Sequence, residues 1–225
     1  FAGLNLFRIH LGRKYDLKDF QFSQSYFMFW DKLEKSNYFL ESIISTYDKD
    51  WNSRLVMHLL SNPIQDGGQW DMWVNLVNKY GVVPQSEMPE SYSSSNSRLM
   101  NKLITRKLRE NAMILRKNLS KGALDDDIQS LKKDMLQEIY KMLTIHLGTP
   151  PDSFDWQVRN KKKKFLRFEG ITPKSFYDEH VKLNLEDFVC LINCPMSDKE
   201  YNKVYTVDYL GNVVEGNAIR YLNVD

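Results

Sequence analysis

Asp66-Gly67-Gly68-Gln69-Trp70-Asp71-Met72-Trp73 is the stretch on which the reading of the fold turns. Two adjacent glycines leave a length of backbone with no side chains over it, so the chain can bend tightly and another backbone can come close. Apolar residues follow at Trp70, Trp73, Val74 and Val77, the spacing of one helical face. Lys79-Tyr80-Gly81 ends that helix with a cation and then a glycine. The pattern predicts a glycine turn feeding a short, aromatic-rich buried helix. It leaves two uses for the bare backbone open: a tight turn against a core, or main chain beside a pocket that hydrogen-bonds an extended peptide.

Upstream, Phe1, Leu4, Phe7 and Leu11 mark a helix face that continues to about Leu11, with Gly12 expected to end it. Ser23 is placed to cap a second helix whose face holds Tyr26, Phe29, Trp30 and Leu33. Leu40, Ile43, Ile44 and Tyr47 continue helical packing. Leu55, Met57, Leu59 and Leu60 form another short helix, broken at Asn62-Pro63.

Downstream, Val82-Val83-Pro84 reads as extended, because a residue before proline is pushed out of the helical region. The breakers from Met88 to Ser95 form a loop and the best candidate boundary. Residues 98–147 read as an antiparallel helical hairpin. One arm carries Leu99, Leu103, Leu108, Leu115 and Leu119, and the other Leu124, Ile128, Leu131, Met135, Ile139 and Met142. Asp125 to Asp127 give the second arm a negative first turn, and Gly148-Thr149-Pro150-Pro151 stops it.

Phe154, Trp156 and Val158 suggest an edge strand leading into a basic turn at Lys161, Lys162, Lys163 and Lys164. Thr172-Pro173 starts a helix with its cap and its first residue, and Phe176, His180 and Val181 share its face. Phe188 to Ile192 reads as a buried strand and Tyr205-Thr206-Val207 as another, with Gly211 and Gly216 punctuating the final twenty or so residues. The chain is helix-rich first, with strands toward its end: an α+β class.

Composition narrows the function. A net charge of +2 over 225 residues argues against wholesale nucleic-acid binding while allowing a local basic patch. Two cysteines do not make a disulfide scaffold and suit a reducing compartment. Their spacing is poor for zinc, and no apolar run is long enough to span a membrane. The absence of an initiator methionine and of a capping residue before Phe1 suggests that both ends are cuts through a longer protein.

The residues that could carry chemistry do not assemble into a complete active site. His10, His58, His146 and His180 lack metalloprotease spacing. Asp125 to Asp127 lack the spacing and glycine of a calcium loop. Cys190 sits in an apolar run and Cys194 in a turn, neither with a helix N-terminus or cation to make a thiolate. The four lysines could touch phosphates, though a solvated face is the commoner meaning and no interleaved aromatics support single-strand stacking. No metal or cofactor is called for.

The runs Phe22-Ser23-Gln24-Ser25-Tyr26-Phe27-Met28-Phe29-Trp30-Asp31-Lys32, Asp66-Gly67-Gly68-Gln69-Trp70-Asp71-Met72, Tyr80-Gly81-Val82-Val83-Pro84, Pro89-Glu90-Ser91-Tyr92 and Tyr201-Asn202-Lys203-Val204-Tyr205-Thr206-Val207 resemble the bleomycin hydrolase and aminopeptidase C family, the cytosolic branch of the papain-like cysteine peptidases. The resemblance spans the whole chain and implies a papain-like fold. It divides the chain into a helical left-hand domain with half of the substrate cleft (1–95), a helical insertion for assembly (96–170), and a return segment opening the β-rich domain (171–225).

It also implies a cytoplasmic cysteine aminopeptidase acting on peptides through an acyl-enzyme. Phe1 matches the phenylalanine of a Cys-Trp-aliphatic-Phe motif, which puts the nucleophile three residues before it. The oxyanion-hole glutamine lies further upstream, and the histidine and asparagine lie beyond Asp225. Phe1, Leu4 and Phe7 then hold the catalytic helix, Asp66, Gly67 and Gly68 bind substrate backbone, and no catalytic residue falls within the chain. Family members form homohexamers, and some bind DNA weakly, a role open to Lys161 through Lys164. A non-catalytic assembly subunit on the same scaffold and a nucleic-acid module are the alternatives.

Overall fold

A computed structural model describes residues 2–206 and 220–225. Phe1, Val207, Gly211 and Gly216, which carried expectations above, lie outside them. Contacts group the chain into two interleaved units. One holds Phe1–Gln24, Gly68–Met88 and Pro151–Asp225; the other holds Ser25–Gly67 and Pro89–Pro150. The chain passes between them four times: after Gln24, after Gly67 in the glycine stretch, after Met88 at the head of the breaker loop, and after Pro150.

In the first unit, α1 (Ala2–Lys14) buries Leu4, Phe7 and Leu11 on one face. The helix runs two residues past Gly12, contrary to expectation, because a single glycine costs a helix only about 1 kcal/mol. It closes where Asp16 turns left-handed (φ 55°) and the Leu17 N–H reaches back 2.9 Å to the Gly12 carbonyl. The Phe7 ring lies 4.9 Å from Trp73 and 5.5 Å from Tyr177. Gly3 meets Trp73 directly: a β-carbon there would stand 2.5 Å from the indole.

Trp73 belongs to α4 (Trp70–Tyr80), which buries Met72, Asn75, Leu76 and Val77 and leaves Trp70, Trp73 and Val74 half-buried. Gly81 ends it at φ 72°. Val82 and Val83 then run extended. The Val82 N–H bonds the Pro173 carbonyl (3.0 Å), and the Ser23 N–H bonds the Val83 carbonyl (3.0 Å).

The strands β1 (Phe154–Arg159) and β2 (Phe165–Ile171) form an antiparallel hairpin with Trp156 opposite Phe168. Lys161 through Lys164 make its turn, with Lys163 at φ 63°. Thr172 caps α8 (Pro173–Ser175), its hydroxyl accepting from the Ser175 N–H. The helix then widens into a π-segment, Phe176–Val181, that buries Phe176, His180 and Val181. Trp156 packs edge-on to Phe176 and Phe20 and stacks on Phe168, so aromatic rings dominate this core.

A small sheet comes next, ordered β3 (Leu191–Ile192), β5 (Tyr221–Asn223), β4 (Val204–Tyr205), parallel in the first pair and antiparallel in the second. The expectation of a buried strand from Phe188 to Ile192 fails. Among the described residues the strand is only Leu191–Ile192, and Val189 and Leu191 are each 57 % exposed, because an apolar run reports what can be buried and not what covers it.

The second unit is helical. Ser23 stands one residue ahead of its α2 (Gln24–Ser45), and the Ser23 hydroxyl donates to the Met88 carbonyl. After α3 (Arg54–Ser61) and the short α5 (Tyr92–Ser95) come the two long arms α6 (Arg98–Ser120) and α7 (Asp125–Leu147). The hairpin is as expected. The stripe on its first arm is so only in part: Leu108 and Leu115 are buried as expected, joined by Met100, Ile104 and Ala112, while Leu99 is 60 % exposed and Leu103 is exposed too. On α7, Ile128, Met135 and Ile139 are buried as expected, joined by Leu143 and Leu147, while Leu131 and Met142 are half-buried.

Candidate functional site

Of the expected site residues, Asp66 and Gly67 end the first segment of the second unit, and Gly68 begins the second segment of the first. In the second unit the turn 62–67 leaves α3 and lies over α2. An irregular turn of this kind carries carbonyls that helix or sheet cannot satisfy. Two lysines of α2 satisfy them. Lys32 and Lys35 are three residues apart, on the face that also buries Phe29, Ser36 and Phe39, and they are only 1 % and 3 % exposed.

The Lys32 ammonium donates to the Ile64 carbonyl (2.7 Å), the Gln65 carbonyl (3.2 Å) and Asp66 Oδ1 (2.6 Å). The Lys35 ammonium donates to the Gln65 carbonyl (2.8 Å), the Gly67 carbonyl (2.6 Å) and Asp31 Oδ2 (2.7 Å). An ammonium has three N–H groups, so each lysine is saturated.

Asp66 is held from several sides as well. Its Oδ1 accepts from Asn101 (2.8 Å) and its Oδ2 from the Ser97 hydroxyl (2.9 Å). Burial alone would raise its carboxyl. Hydrogen bonds from Lys32, Asn101 and Ser97, with the Lys32 charge, outweigh that and hold it at about 2. Burial lowers Lys32 against the pull of Asp66, and burial raises Asp31 against the pull of Lys35.

Gly67 and Gly68 themselves are exposed. Neither has a φ in the left-handed range, and among the described residues a β-carbon on either would meet nothing within 4 Å. Among the described residues, their N–H groups find no acceptor.

In the first unit, Lys161 through Lys164 stand exposed at the β1–β2 tip. Lys161 lies 3.5 Å from Asp16. With Arg8, Arg13 and Lys18 it lines an open cleft of about 450 Å³ at the end of α1. The buried lysines 32 and 35, not these four, do the structural work at the glycines, and sequence patterning gives them no mark except their spacing with Phe29, Ser36 and Phe39.

Among the described residues the candidate cysteines and histidines do not gather into one site. Cys190 and Cys194 are free and half-exposed. Burial and the nearby Asp71 raise the Cys190 thiol, the wrong direction for a nucleophile. His146 Nδ1 lies 3.0 Å from the Ser93 hydroxyl and His180 Nδ1 lies 2.9 Å from the Tyr15 hydroxyl. Burial keeps His180 below its ordinary value. Among the described residues no three His, Cys, Asp or Glu side chains gather as a metal site, and no helix is long and apolar enough to cross a membrane.

This helical frame with its glycine turn defines a class. The family model for the Peptidase C1-like family matches residues 1–225, and the chain belongs to that family. Among particular relatives, Aminopeptidase C of Listeria monocytogenes is 51 % identical over 225 residues, all of this chain and 50 % of that protein. Bleomycin hydrolase of Mus musculus is 44 % identical over 227 aligned residues, 99 % of this chain and 50 % of that protein. The crystal structure of PepW from Lactobacillus rhamnosis superposes with a TM-score of 0.97 at 47 % identity, covering 99 % of this chain and 50 % of that one. The chain therefore has a papain-like α+β fold and spans about half the length of these relatives.

Proposed function

We propose that this chain is part of a cysteine aminopeptidase in which main chain at Gly67 and Gly68 hydrogen-bonds the backbone of an extended peptide substrate. One observation carries the reading: among the described residues nothing requires glycine at either position, by φ or by contact, yet the N–H groups of both are exposed and without an acceptor. Main-chain pairing of this kind grips a peptide with little regard to its side chains, as removal of successive amino-terminal residues needs. Asp66 serves the same end by holding the turn, its carboxylate being engaged by Lys32, Asn101 and Ser97.

The nucleophile is the cysteine expected three residues before Phe1, at the head of the helix whose body is α1. The helix N-terminus favours its thiolate, and buried Leu4, Phe7 and Leu11 hold that helix in place. The thiolate adds to the first peptide carbonyl. The departing amine takes a proton from the histidine expected beyond Asp225, and water then cleaves the thioester. A cytoplasmic homohexamer belongs to the same proposal, supported by the exposed apolar Leu99, Leu124 and Ile145 of the hairpin arms. Weak nucleic-acid contact ranks below it, supported by the exposed Lys161 through Lys164 beside the cationic cleft.

Gly68→Leu in the intact protein tests the proposal. A blocked or lost pair of backbone hydrogen bonds, each worth about 0.5–1.5 kcal/mol, should lower kcat/KM for an aminoacyl peptide roughly 10- to 100-fold. The urea midpoint should stay in place. Loss of stability in step with activity, or no loss of activity, would overturn it. So would undiminished hydrolysis after alkylation of the upstream cysteine.

A further inference from the structure

We propose that Lys32 and Lys35 are positioning residues for the peptide-binding backbone: buried ammonium groups that orient the 64–67 turn so that its N–H groups face outward. The inference rests on the glycine reading above and names what holds that segment in register.

The geometry is a closed account. Six N–H donors on two side chains make six bonds to five acceptor atoms, and four of those six bonds go to main-chain carbonyls at Ile64, Gln65 (twice) and Gly67. In a trans peptide the carbonyl and the next N–H point in opposite directions. Drawing the Gln65 carbonyl down onto both lysines therefore turns the Asp66 N–H away from them. Drawing the Gly67 carbonyl onto Lys35 does the same for the Gly68 N–H. Neither N–H has an acceptor among the described residues. A glycine segment left to itself would sample many orientations, and each would present different donors to a peptide. The lysines select one.

Both lysines sit on a single helix, so the turn inherits the rigidity of α2. Asp31 fixes Lys35 from one turn earlier on that helix, and Asp66 returns the hold on Lys32 from the turn itself. Arginine does not substitute simply, because a planar fork cannot send three bonds to the same three directions.

The experiment uses the intact enzyme carrying Lys35→Met, with Lys35→Arg as a milder variant that keeps the charge and settles the question if the first does not fold. Steady-state hydrolysis of an aminoacyl peptide is read beside the rate of inactivation by iodoacetamide, a small reagent that needs the thiolate but no peptide-binding backbone. The expected result is a KM raised about tenfold or more, with kcat changed less and iodoacetamide inactivation within twofold of the parent. A folded variant with unchanged KM overturns the proposal, and so does an equal fall in peptide turnover and in alkylation rate. If Gly68→Leu raises KM and the Lys35 variants do not, the lysine clamp fails alone. If neither raises KM, the backbone groove fails and the clamp with it.

Discussion

At Gly81 the backbone lies at φ 72° and ψ −153°, and a β-carbon would come within 2.1 Å of the Pro173 carbonyl oxygen. At Gly67 and Gly68 neither φ is left-handed, and a β-carbon would meet nothing within 4 Å. The first glycine is demanded by the fold. It stops α4 in a conformation that only glycine adopts at ease, and it lets the extended 82–84 segment lie against Pro173. The other two are not demanded by φ or by contact with any of the described residues. Identical residues thus report on different things: one on folding, and two on whatever the surface is shaped to receive.

The contrast breaks most readily at Gly81. Gly81→Ala should cost about 3 kcal/mol or more, because a backbone strain of roughly 1–3 kcal/mol adds to a clash of similar size with main chain that cannot swing aside. Urea unfolding measures it, and a loss under 1 kcal/mol would show that the close approach to Pro173 is soft. A smaller effect sits at the brace of the glycine turn. Asp66 has its carboxyl at about 2 in the fold against 3.8 in the open chain. Its contribution to stability is present above about pH 4 and is lost as pH falls toward 2. With the side chain 54 % exposed, the amount is on the order of 1 kcal/mol after screening. The stability gap between the parent and Asp66→Asn should close over that window, and a gap independent of pH would contradict the brace. The smallest effect is expected at Gly67. Gly67→Ala should leave stability unchanged or raise it by about 0.4–1 kcal/mol, since alanine restricts the unfolded chain without strain in the folded one. A destabilised variant would place Gly67 with Gly81 as a residue the fold requires.

Much of the frame was legible in the sequence because local rules decided it. Thr172-Pro173, Lys79-Tyr80-Gly81 and Asn62-Pro63 each carry their own start or stop, and the structure places helix ends at all three. The hairpin of α6 and α7 followed from apolar periodicity, but its phase did not. Leucine at 99 and 103 marks a face as clearly as Met100 and Ile104 do, and only the packing of neighbours chooses between them. The strand expected at 188–192 failed for the same reason.

At the candidate site, Asp66, Gly67 and Gly68 were singled out from sequence, yet what anchors them was not. A lysine is read as solvent-facing because burying a lone ammonium is costly. Lys32 and Lys35 escape that cost by spending every N–H on a fixed acceptor, and most of those bonds go to carbonyls of a turn about thirty residues away. Nothing local announces such a partnership.

The meeting of Gly3 with the Trp73 indole has a consequence for how this scaffold can drift. At this point two helices touch through a ring laid on naked main chain, beside the Phe7 ring of the same helix. Any descendant that thickens position 3 must thin position 73 in compensation, or let the opening helix tilt. The two sites therefore vary as one, and a survey of tolerated substitutions taken singly would call both of them immutable when only their sum is.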